Sequence, residues 1–328
     1  MELQSHNVTQ QPVCPACGNT STHFLLRSLE HHYFNSAKRL CWEYGLQECS
    51  SCGLAWVEPR PTLELARSFY TSSYYPSRKS EAKTLKWSII AREAAYPKRF
   101  PVLSSVAQIL TGREVTYTLG LPLQLPRDSA MLELGYGSGS WLLSMFESGF
   151  RDLWGYDIDS NPVNADLLKS QGIKVSSGDF LQNSYPHDHF SCVRLEHVFE
   201  HLPNPGPVLK RCHELLRPDG LLVLTFPNRN SFSFRFGLHN CPMFQTPAHL
   251  FHHTRTSALR LLYDAGFREV GIKAKPVVEV FLRSIGSRYK WLSKIATSRV
   301  LTVALAPLYR GVSLLCRQGE FLSVWARK

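Results

Sequence analysis

The chain has 328 residues, enough for a full α/β core and a smaller module, and its 44% hydrophobic and 19% charged content excludes a disordered or fibrous protein. No apolar run reaches the ~18 residues a membrane span needs, and the polar stretch Met1–Val13 has no charged start or apolar centre of an export signal, so a cytoplasmic protein is expected. The net charge of +11 is uneven: Phe281–Lys328 holds nine Lys or Arg against the single acid Glu320, and Arg78–Arg99 holds seven against Glu81 and Glu93, a pattern that suits an anionic lipid surface, a phosphorylated substrate or RNA, and equally a solvated helix face.

Residues 1–60 read as a zinc-ribbon module. Cys14-Pro-Ala-Cys17-Gly and Cys49-Ser-Ser-Cys52-Gly are two tight turns, each presenting two thiolates, with a Gly that permits the positive φ such turns require. Cys14, Cys17, Cys49 and Cys52 supply the soft ligands of a closed tetrahedral site, so a structural Zn2+ is expected. The other five cysteines are scattered and suggest no disulfide framework. Residues 61–127 read as a helical connector: Pro59-Arg-Pro61 ends the ribbon, Thr62 can cap a helix through Tyr70, and a basic amphipathic stretch carries Leu85, Ile89, Ile90 and Ala94.

From Asp128 to Lys328 short apolar runs alternate with helical patterns, as in a doubly wound α/β sheet. Strands are expected at Ala130–Leu134, Leu153–Ile158, Ile173–Ser176, Phe190–Leu195, Leu221–Phe226, Arg268–Ala274 and Phe321–Ala326. Asn161 followed by Pro162 marks a helix start, and Gly266 stops a helix from about Thr256. A helical insertion is expected at about 281–318, where Ile285, Tyr289, Leu292 and Ile295 recur at helical spacing among basic residues. It reads as a cover over the sheet, a homodimer contact or a peripheral contact with the inner membrane surface.

The first α/β unit carries the chemistry. Met131-Leu-Glu133-Leu runs into Gly135-Tyr-Gly137-Ser-Gly139 and then a helix, a turn that lets backbone approach a nucleotide closely. Ser140 stands where a dinucleotide fingerprint needs its third glycine, which disfavours a nicotinamide or flavin. Asp157 ends the next strand, where an acid accepts the hydroxyls of a ribose, with Ile158 beside it. Asp179 and Phe180 follow the third, where a carboxylate can accept from an adenine amine and an aromatic can cover the ring.

These pieces, with Glu196-His-Val-Phe-Glu-His-Leu202, Leu216-Arg-Pro-Asp-Gly220 and Phe226-Pro-Asn228, resemble the class I S-adenosylmethionine (SAM)-dependent methyltransferases, the broad group that includes the ubiquinone-pathway enzymes. Cys14–Pro61, Tyr74-Tyr75-Pro76 and His249-Leu-Phe-His-His-Thr254 carry a narrower resemblance to bacterial methyltransferases with an N-terminal double-CxxC zinc module, many associated with sugar or cell-surface polysaccharide pathways. The resemblance implies a Rossmann-like seven-stranded sheet with its last strand antiparallel, and SAM held by Glu133, Gly135, Gly137, Gly139, Asp157, Ile158, Asp179, Phe180 and Glu196. Tyr136 departs from the small or polar residue usual there and is expected to crowd the loop.

Methyl transfer from a sulfonium needs alignment and exclusion of water, and a base only for a hydroxyl or carbon acid. Two groups offer imidazoles. His197 and His201 lie four apart, on one face if the segment is helical, though the adjacent Glu of HExxH is missing. The long connection Pro227–Thr254 leaves the carboxyl edge of the sheet and carries His239, His249, His252 and His253 among phenylalanines. His249, His252 and His197 are therefore the catalytic candidates. The expected acceptor is a sugar, a nucleotide-sugar or a lipid-linked glycan intermediate. RNA methylation is the alternative within enzymes, disfavoured because no base-amine motif follows the fourth strand, and a non-catalytic ribbon that recruits a partner is the alternative outside them.

Overall fold

A computed structural model of the chain describes residues 12–26, 44–61, 125–159, 161–237 and 240–328. Most of the expected connector, with the 78–99 basic stretch and Tyr74-Tyr75-Pro76, lies outside the described residues, as do Cys41 and His239.

In chain order the elements begin with β1 (Thr22–Leu26), β2 (Gly45–Cys49) and β3 (Ala55–Glu58). There follow β4 (Met131–Leu134), α1 (Ser140–Glu147), β5 (Leu153–Tyr156), α2 (Pro162–Ser170), β6 (Lys174–Ser176), β7 (Phe190–Glu196), α3 (Pro205–Leu215) and β8 (Leu216–Pro227). The chain then forms α4 (Phe232–Gly237), β9 (Phe251–His252), α5 (Arg255–Asp264) and β10 (Glu269–Lys275). It ends with α6 (Val278–Arg288), α7 (Ser293–Ala296), α8 (Arg299–Leu315) and β11 (Phe321–Arg327).

Seven strands form one sheet in the order β10-β11-β8-β7-β4-β5-β6. The pairs among β8, β7, β4, β5 and β6 are parallel, and β11 runs antiparallel to both neighbours. This is a Rossmann-like sheet with its last strand reversed, and each expected strand is present. The central strands read as continuous apolar runs because helices cover both faces: all of β4 and nearly all of β7 is buried. Local chemistry sets the helix starts where the sequence marks them. The Asn161 side chain accepts from Val163 N–H at 2.9 Å with Pro162 in the first turn, and Thr254 and Ser257 form a reciprocal cap on α5.

The ribbon is not a separate body. β9, from the long connection after β8, adds to its edge, giving a second sheet of order β1-β2-β3-β9 with Trp56 opposite Phe251. Val57 N–H donates to Leu250 O at 3.0 Å, Thr254 Oγ1 donates to Cys52 O at 2.6 Å, and Arg229 pairs with Glu48 at 3.2 Å. Trp56 and the clustered cysteines Cys14, Cys49 and Cys52 are buried in the same hydrophobic cluster as β7, β8 and α5, so core packing runs continuously from the ribbon into the large sheet. The helical insertion is formed by α6–α8, between β10 and β11.

Candidate active site

The glycine loop is held by its own neighbours. Gly135 has φ of 73°, and a Cβ there would lie 2.3 Å from Val198 Cγ2, so no side chain fits without moving the segment after β7. Gly137 N–H donates to Asp157 Oδ2 at 2.8 Å, which ties the loop to the end of β5. Tyr136 does not crowd the loop: it is buried, and its ring lies over Gly155, where a Cβ would sit 2.9 Å from Tyr136 Cδ1.

A cavity of about 680 Å³ opens at the carboxyl ends of β4, β5 and β7. This is the edge where open α/β sheets bind ligands, and the size suits a nucleotide-sized molecule. Of the expected cofactor residues, Gly135, Asp157, Ile158, Asp179, Phe180 and Glu196 line it. Gly137 lies behind the wall with its amide engaged by Asp157, and Gly139 caps α1 in a left-handed conformation. Burial raises the pKa of Asp157 above the usual carboxylate range, against the backbone amides that favour its charged form. Asp179 is exposed and accepts from Leu181 N–H at 3.0 Å, while buried Phe180 packs 5.2 Å from Tyr156 and 5.7 Å from Tyr185.

Glu133 also stands behind the wall, buried in β4, where it pairs with Arg194, its cross-strand neighbour on β7. Arg194 bridges Glu133 to Glu196, which does line the cavity, and lies over the Trp141 ring at 4.9 Å. Burial pushes the Glu133 pKa up to about 8, with the Arg194 guanidinium opposing it. Arg194 escapes sequence reasoning, although a lone cation inside the buried run Ser191-Cys-Val-Arg194-Leu is the signal that an acid must face it.

The other end of the cavity is lined by His197, Glu200, His201 and His249. His197 and His201 do not share a helical face. His197 takes a left-handed φ of 54°, and Phe199–His201 is a single 3-10 turn. His249 is buried and its Nδ1 meets Met243 O at 2.8 Å; burial, reinforced by His201, drops its pKa to about 3. Burial also lowers His201, whose Nδ1 meets Ala248 O at 2.9 Å. His197 behaves oppositely: burial works to lower it, but Glu200, 3.5 Å from its Nδ1, and Glu196 raise it. Burial would raise Glu200, yet the surrounding imidazoles, His197 foremost, hold it at about 2, as a carboxylate.

His252 is absent from the cavity wall. Its Nε2 pairs with Thr246 Oγ1 at 2.9 Å, its ring stacks on Phe244 at 5.0 Å, and it belongs to the strand that completes the ribbon sheet. His253 stacks on Phe199 at 4.1 Å inside the core. Sequence reasoning paired His201 with His197 without making it a catalytic candidate, and did not single out Glu200. The repeated Glu-His pairs of Glu196-His197 and Glu200-His201 carried the signal, but a helical reading put them on the wrong faces.

At the N-terminus, Cys14, Cys17, Cys49 and Cys52 come together with ligand atoms within 4.8 Å of one another. Cys14–Cys52 and Cys17–Cys49 Sγ separations are both 3.6 Å. Gly18 and Gly53 share a φ of 69°, each donating to the carbonyl of the first cysteine of its turn at 2.9 Å.

Residues 111–270 match the family model described as a methyltransferase domain. The ubiquinone biosynthesis O-methyltransferase of Acinetobacter baylyi is 25% identical over 154 residues, covering 40% of this chain and 63% of that protein. That of Nitrosospira multiformis is 28% identical over 172 residues, covering 46% and 69%. Methyltransferase str3 of Strobilurus tenacellus is 28% identical over 146 residues, covering 44% and 50%. Among solved structures, a SAM-dependent methyltransferase from Archaeoglobus fulgidus superposes with a TM-score of 0.44 at 19% identity, over 71% of this chain and 98% of that one. Haemonchus contortus phosphoethanolamine N-methyltransferase 2 bound to SAM gives 0.43 at 13%, over 68% and 52%. Residues 111–270, just under half of the chain, thus carry a methyltransferase domain, with a glycine loop tied to Asp157 at the cavity's edge.

Proposed function

We propose that the chain transfers the methyl group of SAM to an oxygen of a small-molecule acceptor: a sugar, a nucleotide-sugar or a lipid-linked glycan intermediate. The observation that carries this reading is one cavity lined both by the nucleotide-type partners Asp157, Asp179 and Phe180 and by imidazoles beside a carboxylate. The bacterial relatives named as O-methyltransferases support oxygen as the acceptor.

The residues present fit the cofactor. Gly135 lets the loop pack against Val198 at the cavity's edge, and the Gly137 amide fixes the Asp157 carboxylate so that its remaining lone pairs can take the ribose. Glu196, steadied by Arg194, borders the adjoining part of the cavity. When bound, SAM supplies a sulfonium-activated methyl. The protein's task is then to hold an acceptor hydroxyl in line, exclude water and take the hydroxyl proton, for which His197, backed by Glu200 and open to the cavity, has the geometry. His249, in the same cluster as Glu200, would help to position the acceptor.

The four cysteines fit structural zinc. Sulfur ligands at ~2.3 Å in a tetrahedron stand ~3.8 Å apart, close to the 3.6 Å separations here. A closed thiolate shell leaves no position for substrate, so such a zinc would hold the ribbon against β9 and the loop carrying His249.

A lipid-linked acceptor is favoured by the outer face of α8. Val300, Val303, Leu308, Val312 and Leu315 are exposed at helical spacing, and Trp291 is 78% exposed between Lys290 and Lys294. No described helix is long and apolar enough to cross a membrane. An exposed apolar stripe beside cations suits peripheral contact with anionic lipid. The test is methyl-labelled SAM incubated with fractionated extract and the full chain. Label in glycolipid or sugar-nucleotide fractions supports the reading, whereas label confined to RNA, or none despite SAM binding in calorimetry, overturns it.

A further inference from the structure

The Glu200 carboxylate is the anomaly of the cavity. It is 1% exposed, yet neither oxygen accepts a hydrogen bond. Its nearest charge partner, His197 Nδ1, stands 3.5 Å away. Burying a carboxylate without hydrogen bonds costs so much that proteins pair such a group with a cation.

Two imidazoles converge on the same point: one ligand atom each from Glu200, His201 and His249 lies within 4.8 Å of the others. Both rings are anchored from behind. The Ala248 carbonyl meets His201 Nδ1 at 2.9 Å and the Met243 carbonyl meets His249 Nδ1 at 2.8 Å. A carbonyl oxygen only accepts, so in the neutral rings Nδ1 carries the proton and Nε2 the lone pair. This is how ligating histidines are oriented, with the second nitrogen donating to backbone or carboxylate. Both carbonyls come from the Met243–His249 segment, so one loop orients both rings.

We propose that Glu200, His201 and His249 bind a divalent transition-metal cation whose remaining coordination position faces the cavity. Two imidazoles and one carboxylate are the donor set of open catalytic zinc and iron(II) sites. Ligands held at ~2.0–2.2 Å stand closer together than the present spread, so binding draws the three side chains inward. The cation supplies close coordination to a buried carboxylate whose nearest charged partner, His197, stands 3.5 Å away. Insofar as the O-methyl reading holds, on which this last step rests, the cation sits where it polarises the acceptor hydroxyl; metal binding itself needs no acceptor.

The test uses the full chain, stripped of weakly held metal with its thiolate site left zinc-loaded, and titrated with Co2+. The structure requires one further Co2+ per chain, with ligand-field absorption and no thiolate-to-cobalt charge transfer. Glu200→Gln and His249→Ala should each weaken it at least tenfold, with zinc content and circular dichroism unchanged. X-ray absorption of the cobalt-loaded wild type gives a readout independent of the variants: a nitrogen and oxygen shell supports the site, and a sulfur shell overturns it. A wild type that takes up no second metal, or variants that bind as the wild type does, also sink the proposal. Because the readout is metal uptake, failure of methyl transfer alone leaves the result legible.

Discussion

The two clusters of potential metal ligands among the described residues are assembled on different scales. The four thiolates come from two tight turns, each complete within a few residues, and only the docking of one turn on the other is tertiary. The Glu200, His201 and His249 cluster joins a 3-10 turn after β7 to a loop that returns from the far side of α4, and no short segment holds more than two of its members. The first has no open position and stands at the rim of the core; the second faces the cavity. One ligand set thus organises the frame and the other meets the chemistry, and the connection Pro227–Thr254 links them, since β9 pads the ribbon while His249 lines the cavity.

The sharpest way to break this comparison is to remove the frame. Cys14→Ser with Cys49→Ser should abolish zinc binding and lower unfolding free energy by at least about 5 kcal/mol, because structural zinc contributes on the order of 10 kcal/mol to small folded sites. Denaturant unfolding with metal analysis measures it, and an unchanged midpoint would mean that the ribbon is dispensable to the core it appends. Next in size, Arg194→Met strands Glu133 without its cation and should cost about 3–5 kcal/mol, with Glu133→Gln in the same chain restoring part of the loss. Scanning calorimetry of both variants checks this, and equal midpoints would show the pair to be inert.

Smaller effects test the two ends of the cavity. Asp157→Ala should weaken SAM roughly 10- to 100-fold, the worth of a charged hydrogen-bond pair at about 1.5–3 kcal/mol, as read by titration calorimetry. Unchanged affinity would move the ribose elsewhere. The mildest contrast compares neighbours in one loop. His252→Gln should cost about 1 kcal/mol of stability from the lost Thr246 contact and leave turnover intact, while His249→Ala should lower turnover with little effect on SAM affinity. Equal losses of turnover would erase the distinction between the imidazole on the wall and the one behind it.

Much of the fold was legible because its signals are local. Asn161-Pro162 sets a helix start, the apolar runs at Met131, Phe190 and Leu221 are buried strands, and the glycine loop announces a nucleotide edge. The site was legible only in part. Asp157 lines the cavity from the strand end where the sequence puts it, but its bond to Gly137, which turns that amide away from any ligand, depends on how β5 meets the loop. Glu133 was expected to touch cofactor and instead pairs with Arg194 behind the cavity wall, because parallel register places them side by side. His249, His252 and His253 are indistinguishable as residues, and their fates diverge because β9 pairs with β3 in one register, sending His252 against Phe244 and His253 against Phe199.

The sequence by itself therefore determined the seven strands of the large sheet, its reversed last strand through resemblance, and the composition of the thiolate cluster. These follow from periodicity, turn chemistry and ligand spacing, which act over a few residues. Tertiary structure alone decided that the ribbon takes a strand from the methyltransferase domain, that Arg194 sits between two acids, and that a buried Glu200 lies beside His197 and faces two anchored imidazoles. Each of those depends on burial and on pairing between distant segments, and the cost of an unsatisfied charge is defined only once the surrounding chain has excluded water.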